Sequence, residues 1–321
     1  MLFEDRLGSE PLRIDILVID GFSLLSLAST MEPLRAANRV SGRELYRWRL
    51  LGLGGRQATS SSGVPLTLQE SFQPSDLGEV LIVVSAFEHE RNGAAALPLL
   101  RAVARQKRIP IGGVEAGSWI LARAGLLDRY RATTHWEDVE DFALAYPNVE
   151  VVRDRYVIDR DRFTTGGASP AFDLMLELIR SQHGPGLALD VSSIFIYDES
   201  HPGADPQPMV STGRLDRAEP RLTASIRLME ERIDAPSSIA ELARRAGMTA
   251  RGLQKLFRRH LDTSPGAYYL NLRLAAARRM LELAGRPVLE AAAQTGFTSS
   301  SAFARAFRRR YGISPGRVKA R

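Results

Sequence analysis

The chain has 321 residues, 44% of them hydrophobic, with a net charge of +6 and no cysteine. That length supports two domains, no apolar run reaches the roughly 18 residues of a membrane-spanning helix, and the missing cysteine excludes disulfides, thiolate metal sites and cysteine nucleophiles. The charge is split: residues 215–321 hold 21 Lys and Arg against 9 Asp and Glu, while the first 214 hold 22 against 28, which points to a polyanion-binding tail on an acidic globular domain.

The start of the chain carries acidic residues before a short apolar segment and lacks a basic n-region, so a signal peptide is not expected and a cytoplasmic location fits. Residues 13–19, RIDILVI, form a β-rich run suited to a buried parallel sheet. A turn at Asp20-Gly21 leads to a helix, SLLSLASTMEPLRAAN. Strands are predicted at 46–51 and around VPLTL. EVLIVVSA (79–86) and IPIGGV (109–114) are two more, alternating with helices at 97–108 and 117–127. A strand at 131–134 and a helix at 136–146 follow. VEVVRD and RYVID read as a strand pair, and a helix starts at Ser169-Pro170. Residues 187–198 close the domain. Alternation at this spacing argues for an α/β fold with a mostly parallel sheet and helices on both faces. Residues 198–216, rich in proline and poor in apolar residues, read as a linker beside which the charge changes sign.

The last hundred residues write one pattern twice. GMTARGLQKLFRRHLDTSPG (247–266) is matched about fifty residues later by GFTSSSAFARAFRRRYGISPG (296–316). Ser238 has capping-box spacing with Glu241, Gly247 ends that helix, and Thr249 caps the next. The second helix buries Leu253, Leu256, Phe257 and Leu261 and leaves Arg251, Gln254, Lys255 and Arg258 outside. In the second copy the buried set is Phe303, Ala306, Phe307 and Tyr311, and the outer face carries Ser301, Ala304, Arg305 and Arg308, with Arg309 beside it. Both copies end in a Ser cap and a Pro at the first helical position. This is helix-turn-helix grammar, with motifs at about 238–260 and 288–311, and its second helix suits the major groove. About twenty helical residues between the copies span on the order of 30 Å, near the roughly 34 Å pitch of duplex DNA.

Residues 217–321 resemble the AraC/XylS-type DNA-binding domain through FARAFRRRYGISP and, more loosely, LQKLFRRHLDTSP, which departs at Lys255 and Asp262. The resemblance implies double-stranded DNA as partner, with RNA polymerase as a further one. Arg251, Gln254, Lys255, Ser301 and Arg305 are candidate base contacts, and Arg258, Arg308 and Arg309 candidate phosphate contacts.

The segment IPIGGVEAGSWILARAGLLDRYRATTHWE and the opening GFSLLSLASTMEPLRAAN are similar to the PfpI-type, class I glutamine-amidotransferase-like family, over about residues 12–197. That likeness implies a flavodoxin-like sheet. In its enzymes a sharp strand-to-helix turn holds a cysteine nucleophile near a histidine. Here Glu115 stands at the turn, followed by Ala116, with His135 in the Thr-His-Trp segment. A carboxylate cannot form the expected thioester-type intermediate. The reading is therefore a sensor and not an enzyme, with no cofactor and no metal. The pocket would be lined by Phe22, Glu32, Glu115, Ala116, Trp119, His135 and Trp136, and would hold a small cation such as an amine, betaine or basic amino acid. Two plainer readings stay open: His135 as a hydrogen-bonded histidine packed on Trp136, and Glu115 as a cap on its own helix with no ligand bound.

The sequence thus predicts a dimeric, ligand-responsive activator of transcription, with a sensor at 1–197 and a DNA reader at 217–321. The rival is a PfpI-type hydrolase or lyase with an appended DNA-binding tail. A third reading is an architectural DNA binder without ligand.

Overall fold

The structure, a computed structural model, describes residues 10–106, 109–197, 200–205, 207, 219–261, 263–282 and 286–318. The chain divides into two compact units between Gln207 and Pro208. The last two residues of the expected helix at 97–108, most of the expected linker, and Asp262 lie outside the described residues.

The first unit is built on seven strands: β1 (Leu12–Val18), β2 (Tyr46–Gly52), β5 (Glu70–Ser71), β6 (Val80–Ser85), β7 (Ile111–Glu115), β10 (Tyr156–Asp159) and β11 (Arg162–Thr165). Their order is β10-β11-β7-β6-β1-β2-β5, parallel throughout except for β10, which runs antiparallel to β11. All six residues of β6 are buried, as a central strand covered on both faces requires. Alternate side chains feed two cores. Ile14, Ile16 and Val18 pack with α1 (Leu24–Ser41), α6 (Ala168–His183) and α7 (Pro185–Ile194). Leu17, Leu81 and Val83 pack on the other face with α3 (Ala96–Gln106) and α4 (Gly117–Arg123). Short α2 (His89–Asn92) and α5 (Val139–Ala145) complete the layer.

Several local expectations shift. The VPLTL strand becomes β4 (Pro65–Thr67), paired with β3 (Gln57–Thr59) in a small hairpin outside the main sheet. VEVVRD and RYVID do not pair with each other. β9 (Glu150–Val151) lies parallel to β8 (Arg131–Ala132), while the RYVID strand joins β11 through a tight turn at Arg160 with φ +54°. The helix expected at 117–127 stops at Arg123, before a left-handed Gly125, and the one expected at 136–146 begins only at Val139. The first unit also runs past residue 197: Asp205 and Gln207 are buried in it.

The second unit comprises α8 (Pro220–Glu230), α9 (Ile239–Arg245), α10 (Ala250–Leu261), α11 (Pro265–Glu282), α12 (Val288–Gln294), α13 (Ser300–Tyr311) and a 3-10 turn at Pro315–Arg317. Ser238 accepts from Glu241 N at 3.2 Å, Thr249 from Gly252 N at 3.1 Å and Ser264 from Ala267 N at 3.2 Å, so three helix starts are capped as their spacing demands. The two interhelical turns pass through Gly247 (φ +69°) and Gly296 (φ +73°), the left-handed region that favours glycine. Each half has its own core. Leu242, Leu253, Phe257 and Leu261 pack with Leu222 and Tyr269, whereas Ala291, Phe303 and Phe307 pack with Leu274, Ala277 and Leu281. Tyr269 and Leu274 both belong to α11, an 18-residue helix about 27 Å long that serves both cores. Arg273 on the same helix donates to Thr295 O at 2.7 Å and lies 4.2 Å over Phe297, tying the second turn to it. Among the described residues no helix is long and apolar enough to cross a membrane.

Candidate effector site and nucleic-acid interface

Strand β7 ends on a strained residue. Glu115 has φ +57°, a conformation that costs a non-glycine residue roughly 1–3 kcal/mol and persists only where packing enforces it. The enforcement is visible two residues later, where a Cβ on Gly117 would lie 2.1 Å from Val83 O, so α4 presses against the sheet. Ala116 N donates to Ser85 O at 3.0 Å and fixes the entry to that helix. The Glu115 side chain turns away from α4 and accepts from Ser26 Oγ at 2.5 Å. Ser26 sits in the first turn of α1, which Ser23 caps. Glu115 therefore does not cap its own helix. Burial raises its carboxyl pKa above the ordinary value, and the Ser26 hydroxyl and His135 act in the opposite sense.

His135 approaches from the loop after β8. Its Cδ2 lies 3.5 Å from where a Gly167 Cβ would be, its Nδ1 is 3.8 Å from Glu137, and its ring is tilted on Trp136 at 5.6 Å. Asp138, one turn on, is also shifted upward by burial, within the field of both His135 and His89. His89 is shifted downward by burial and stacks obliquely on Trp119 at 5.2 Å. Glu115, His135, Asp138 and His89 thus form one electrostatically linked cluster, with the Trp119 ring against His89. Ser85 Oγ, His89 Nδ1, Trp119 Nε1 and Thr134 Oγ1 are buried there without a hydrogen-bond partner among the described residues. Buried polar atoms are normally satisfied, so this concentration at one end of the sheet marks a place able to receive polar groups. Beside it, at the carboxyl ends of β1 and β6, opens a cleft of about 530 Å³ lined by Asp20, Ser60, Ser62, Phe87 and Glu88. In open α/β sheets ligands bind at such strand ends.

Among the remaining predicted pocket residues, Trp119 reaches the cluster through its ring contact with His89. Phe22 is fully buried in the α1/α6/α7 core, while Trp119 packs in the opposite core against Phe142 and Tyr146, so the two do not share a wall. Glu32 pairs with Arg35 at 2.7 Å on α1, and Ala116 is the buried cap residue of α4. Sequence reasoning missed Ser26, Ser85, His89 and Asp138. Only Asp138, one helical turn beyond His135, carried a local signal.

In the second unit, α10 exposes Arg251, Gln254, Lys255 and Arg258, and α13 exposes Ser301, Arg305, Arg308 and Arg309. Leu253, Phe257, Phe303 and Phe307 hold the opposite faces in the cores. Thr249, Arg251, Gln254, Lys255 and Arg258 line one open depression, and Ala304, Arg305, Arg308 and Arg309 another. Arg251, Lys255, Arg305, Arg308 and Arg309 enter no ion pair with a described residue, which leaves these cations available to an external polyanion.

Residues 12–181 match the DJ-1/PfpI family and residues 242–321 a helix-turn-helix domain. The chain is 39% identical to the HTH-type transcriptional regulator GbdR of Pseudomonas aeruginosa, across 95% of this chain and 83% of that one. It is 30% identical to an isonitrile hydratase of Pseudomonas putida, across 54% of this chain and 76% of the enzyme. The crystal structure of an AraC family transcriptional regulator from Pseudomonas putida superposes with a TM-score of 0.53 at 28% identity, covering 58% of this chain and all of that one.

Proposed function

The chain belongs to the HTH-type transcriptional regulators that join a DJ-1/PfpI domain to an AraC-type DNA-binding domain, and from that premise we propose that it activates transcription when a small cationic metabolite binds at Glu115. The observation that carries the reading is the elbow itself. Where the enzymes of the fold need a thiolate, this chain holds a half-buried carboxylate, hydrogen-bonded to Ser26 and facing His135 and Asp138. A carboxylate in low dielectric gains more from an ammonium group than an exposed one does, and Trp136 and His135 supply ring faces for a quaternary centre. Amines, betaines and basic amino acids have this chemistry. The sensor is the first unit, acting as a homodimer in the cytoplasm, and the reader is the second. Only differential affinity for two arrangements lets the effector act.

Arg251, Gln254, Lys255, Ser301 and Arg305 read base edges, and Arg258, Arg308 and Arg309 hold phosphates. Their exposure opposite the buried faces of α10 and α13 supports their access to DNA. The two faces differ in composition, so the half-site is asymmetric, and RNA polymerase is the downstream partner. Thermal-shift titration of the full-length protein against amines, betaines and amino acids tests the sensor. A protein that none of them stabilises would sink it.

A second reading, a hydrolase or lyase with a DNA-binding tail, draws on the likeness to isonitrile hydratase and on the placement of His135 near Glu115. It requires turnover of an isonitrile that disappears in Glu115→Gln. Without a thiolate, the carboxylate has no route to the covalent intermediate, and absence of turnover in the wild type closes this reading.

A further inference from the structure

The first unit ends in a segment that is fastened down rather than trailing off. His201 N donates to Asp173 Oδ1 at 2.9 Å, and that carboxylate, fully buried on α6, is held by Arg155 at 2.8 Å and by Tyr197 Oη at 2.9 Å. Arg155 N then donates to Asp205 O at 3.0 Å, Tyr156 N to Gly203 O at 3.4 Å, and Gln207 N to Arg153 O at 2.8 Å. Residues 203, 205 and 207 are therefore strapped to 153–156.

The strap terminates in an unusual side chain. Gln207, the last residue of the unit, is only 5% exposed. Its amide Nε2 lies 2.9 Å from Thr133 Oγ1, 2.8 Å from Thr134 O and 2.9 Å from Asp154 O. Its Oε1 stands 2.1 Å from where a Cβ on Gly166 would be, so the pocket that takes it requires glycine there. Thr134 is the residue before His135, and Gly166 the residue before Gly167, against which the His135 ring packs. One amide thus touches both the peptide that carries His135 and the peptide that backs its ring.

We infer that Gln207 is a positioning residue of the effector site, a latch that fixes the His135 wall and ties it to the point where the chain leaves for the DNA-reading unit. Any shift of the Thr133–Thr134 peptide strains the contacts of Gln207 Nε2 with Thr133 Oγ1 and Thr134 O, and any pull on the strap is felt at His135. Occupancy of the site and release of the strap are then linked in both directions. The link to an effector rests on the reading of Glu115 proposed above. The mechanical coupling does not.

Hydrogen exchange of the full-length protein, without any effector, tests it. Gln207→Met keeps the length and removes the N–H donors. Exchange across 133–138 and 165–168 should accelerate at least about tenfold, with β1 unchanged. Acceleration confined to 201–207, with 133–138 within about twofold of wild type, would overturn the latch and leave Gln207 as an anchor of its own segment. Gln207→Glu guards against a simple packing defect. Its ionised carboxylate faces the Thr134 and Asp154 carbonyls with no proton to donate, whereas its protonated form restores one donor. Exchange in 133–138, compared with wild type at the same pH, should be fast near pH 8 and recover near pH 5. A loss independent of pH would refute the hydrogen-bonding role even if Gln207→Met loosens the whole unit. Failure of every amine to bind would remove the effector reading while leaving these exchange results standing.

Discussion

The two interhelical turns of the DNA-reading unit offer a controlled comparison. Gly247 and Gly296 have nearly the same backbone, φ +69° and +73°, but different surroundings. A Cβ at Gly247 meets nothing within 4 Å, whereas one at Gly296 would lie 2.3 Å from Pro236 Cδ, 2.8 Å from Pro236 Cγ and 3.0 Å from Asp234 O. Gly247→Ala pays the left-handed strain of roughly 1–2 kcal/mol, partly offset by about 0.4–1 kcal/mol of reduced freedom in the unfolded chain. Its net cost is about 1 kcal/mol. Gly296→Ala carries the same backbone term plus overpacking of about 1–3 kcal/mol, since the rigid Pro236 ring has no flexible end to swing away. The sum is about 2–4 kcal/mol. Native-state hydrogen exchange of the full-length protein in low urea reads this half by half, through protected amides in α10 and α13. Gly247→Ala should lower protection in α10 modestly, and Gly296→Ala should lower α13 severely and shorten the DNA footprint at one end. Equal losses at the two turns would refute the packing argument, and no loss at Gly247 would refute the strain argument.

Lys255→Ala and Arg305→Ala should each cost about 1–3 kcal/mol of specific binding and relax preference at one base position in a selection from random duplexes. Uniform weakening across all sequences would move either residue to the phosphates. Glu115→Gln should change how stability depends on pH. Because burial raises the folded-state pKa of Glu115, its favourable contribution is full below the unfolded carboxyl value and is lost as pH rises through the folded one. Wild-type Tm should therefore fall relative to Glu115→Gln across that window, and parallel curves would show that the carboxylate is not desolvated. Asp173→Ala strips the partner from a largely buried Arg155 and orphans Tyr197 Oη and His201 N, costing about 3–5 kcal/mol in the first unit. A Tm within a degree or so of wild type would refute that role for Asp173.

The second unit was legible in the sequence because its signals are local. Ser238, Thr249 and Ser264 cap within three residues, the glycines mark turns, and the i, i+4 spacing of Leu253 with Phe257 and of Phe303 with Phe307 declares the buried face. The sheet was legible as a class but not in its pairing. RYVID could join VEVVRD or the strand after it, and the choice depends on which edge is free across the sheet, a non-local matter. At the site, Glu115 and His135 stood out through their resemblance to a strained elbow and its histidine. Phe22 and Trp119 lie in different cores, because sequence proximity to a strand end does not say which face of the sheet a ring enters. Residues 199–207 read as linker from their prolines, yet 203, 205 and 207 are held by hydrogen bonds to residues far back in the chain, to which composition is blind.

The two separate cores strung on α11 bear on how such a reader changes over generations. Residues in different cores, well apart and without shared partners, contribute nearly additively to stability. A substitution on the exposed face of α10, away from the contact of Gly296 with Pro236, should leave the α13 core intact. One half keeps its grip on a promoter while the other drifts, so lineages of this chain can exchange their target sites in halves instead of losing them whole.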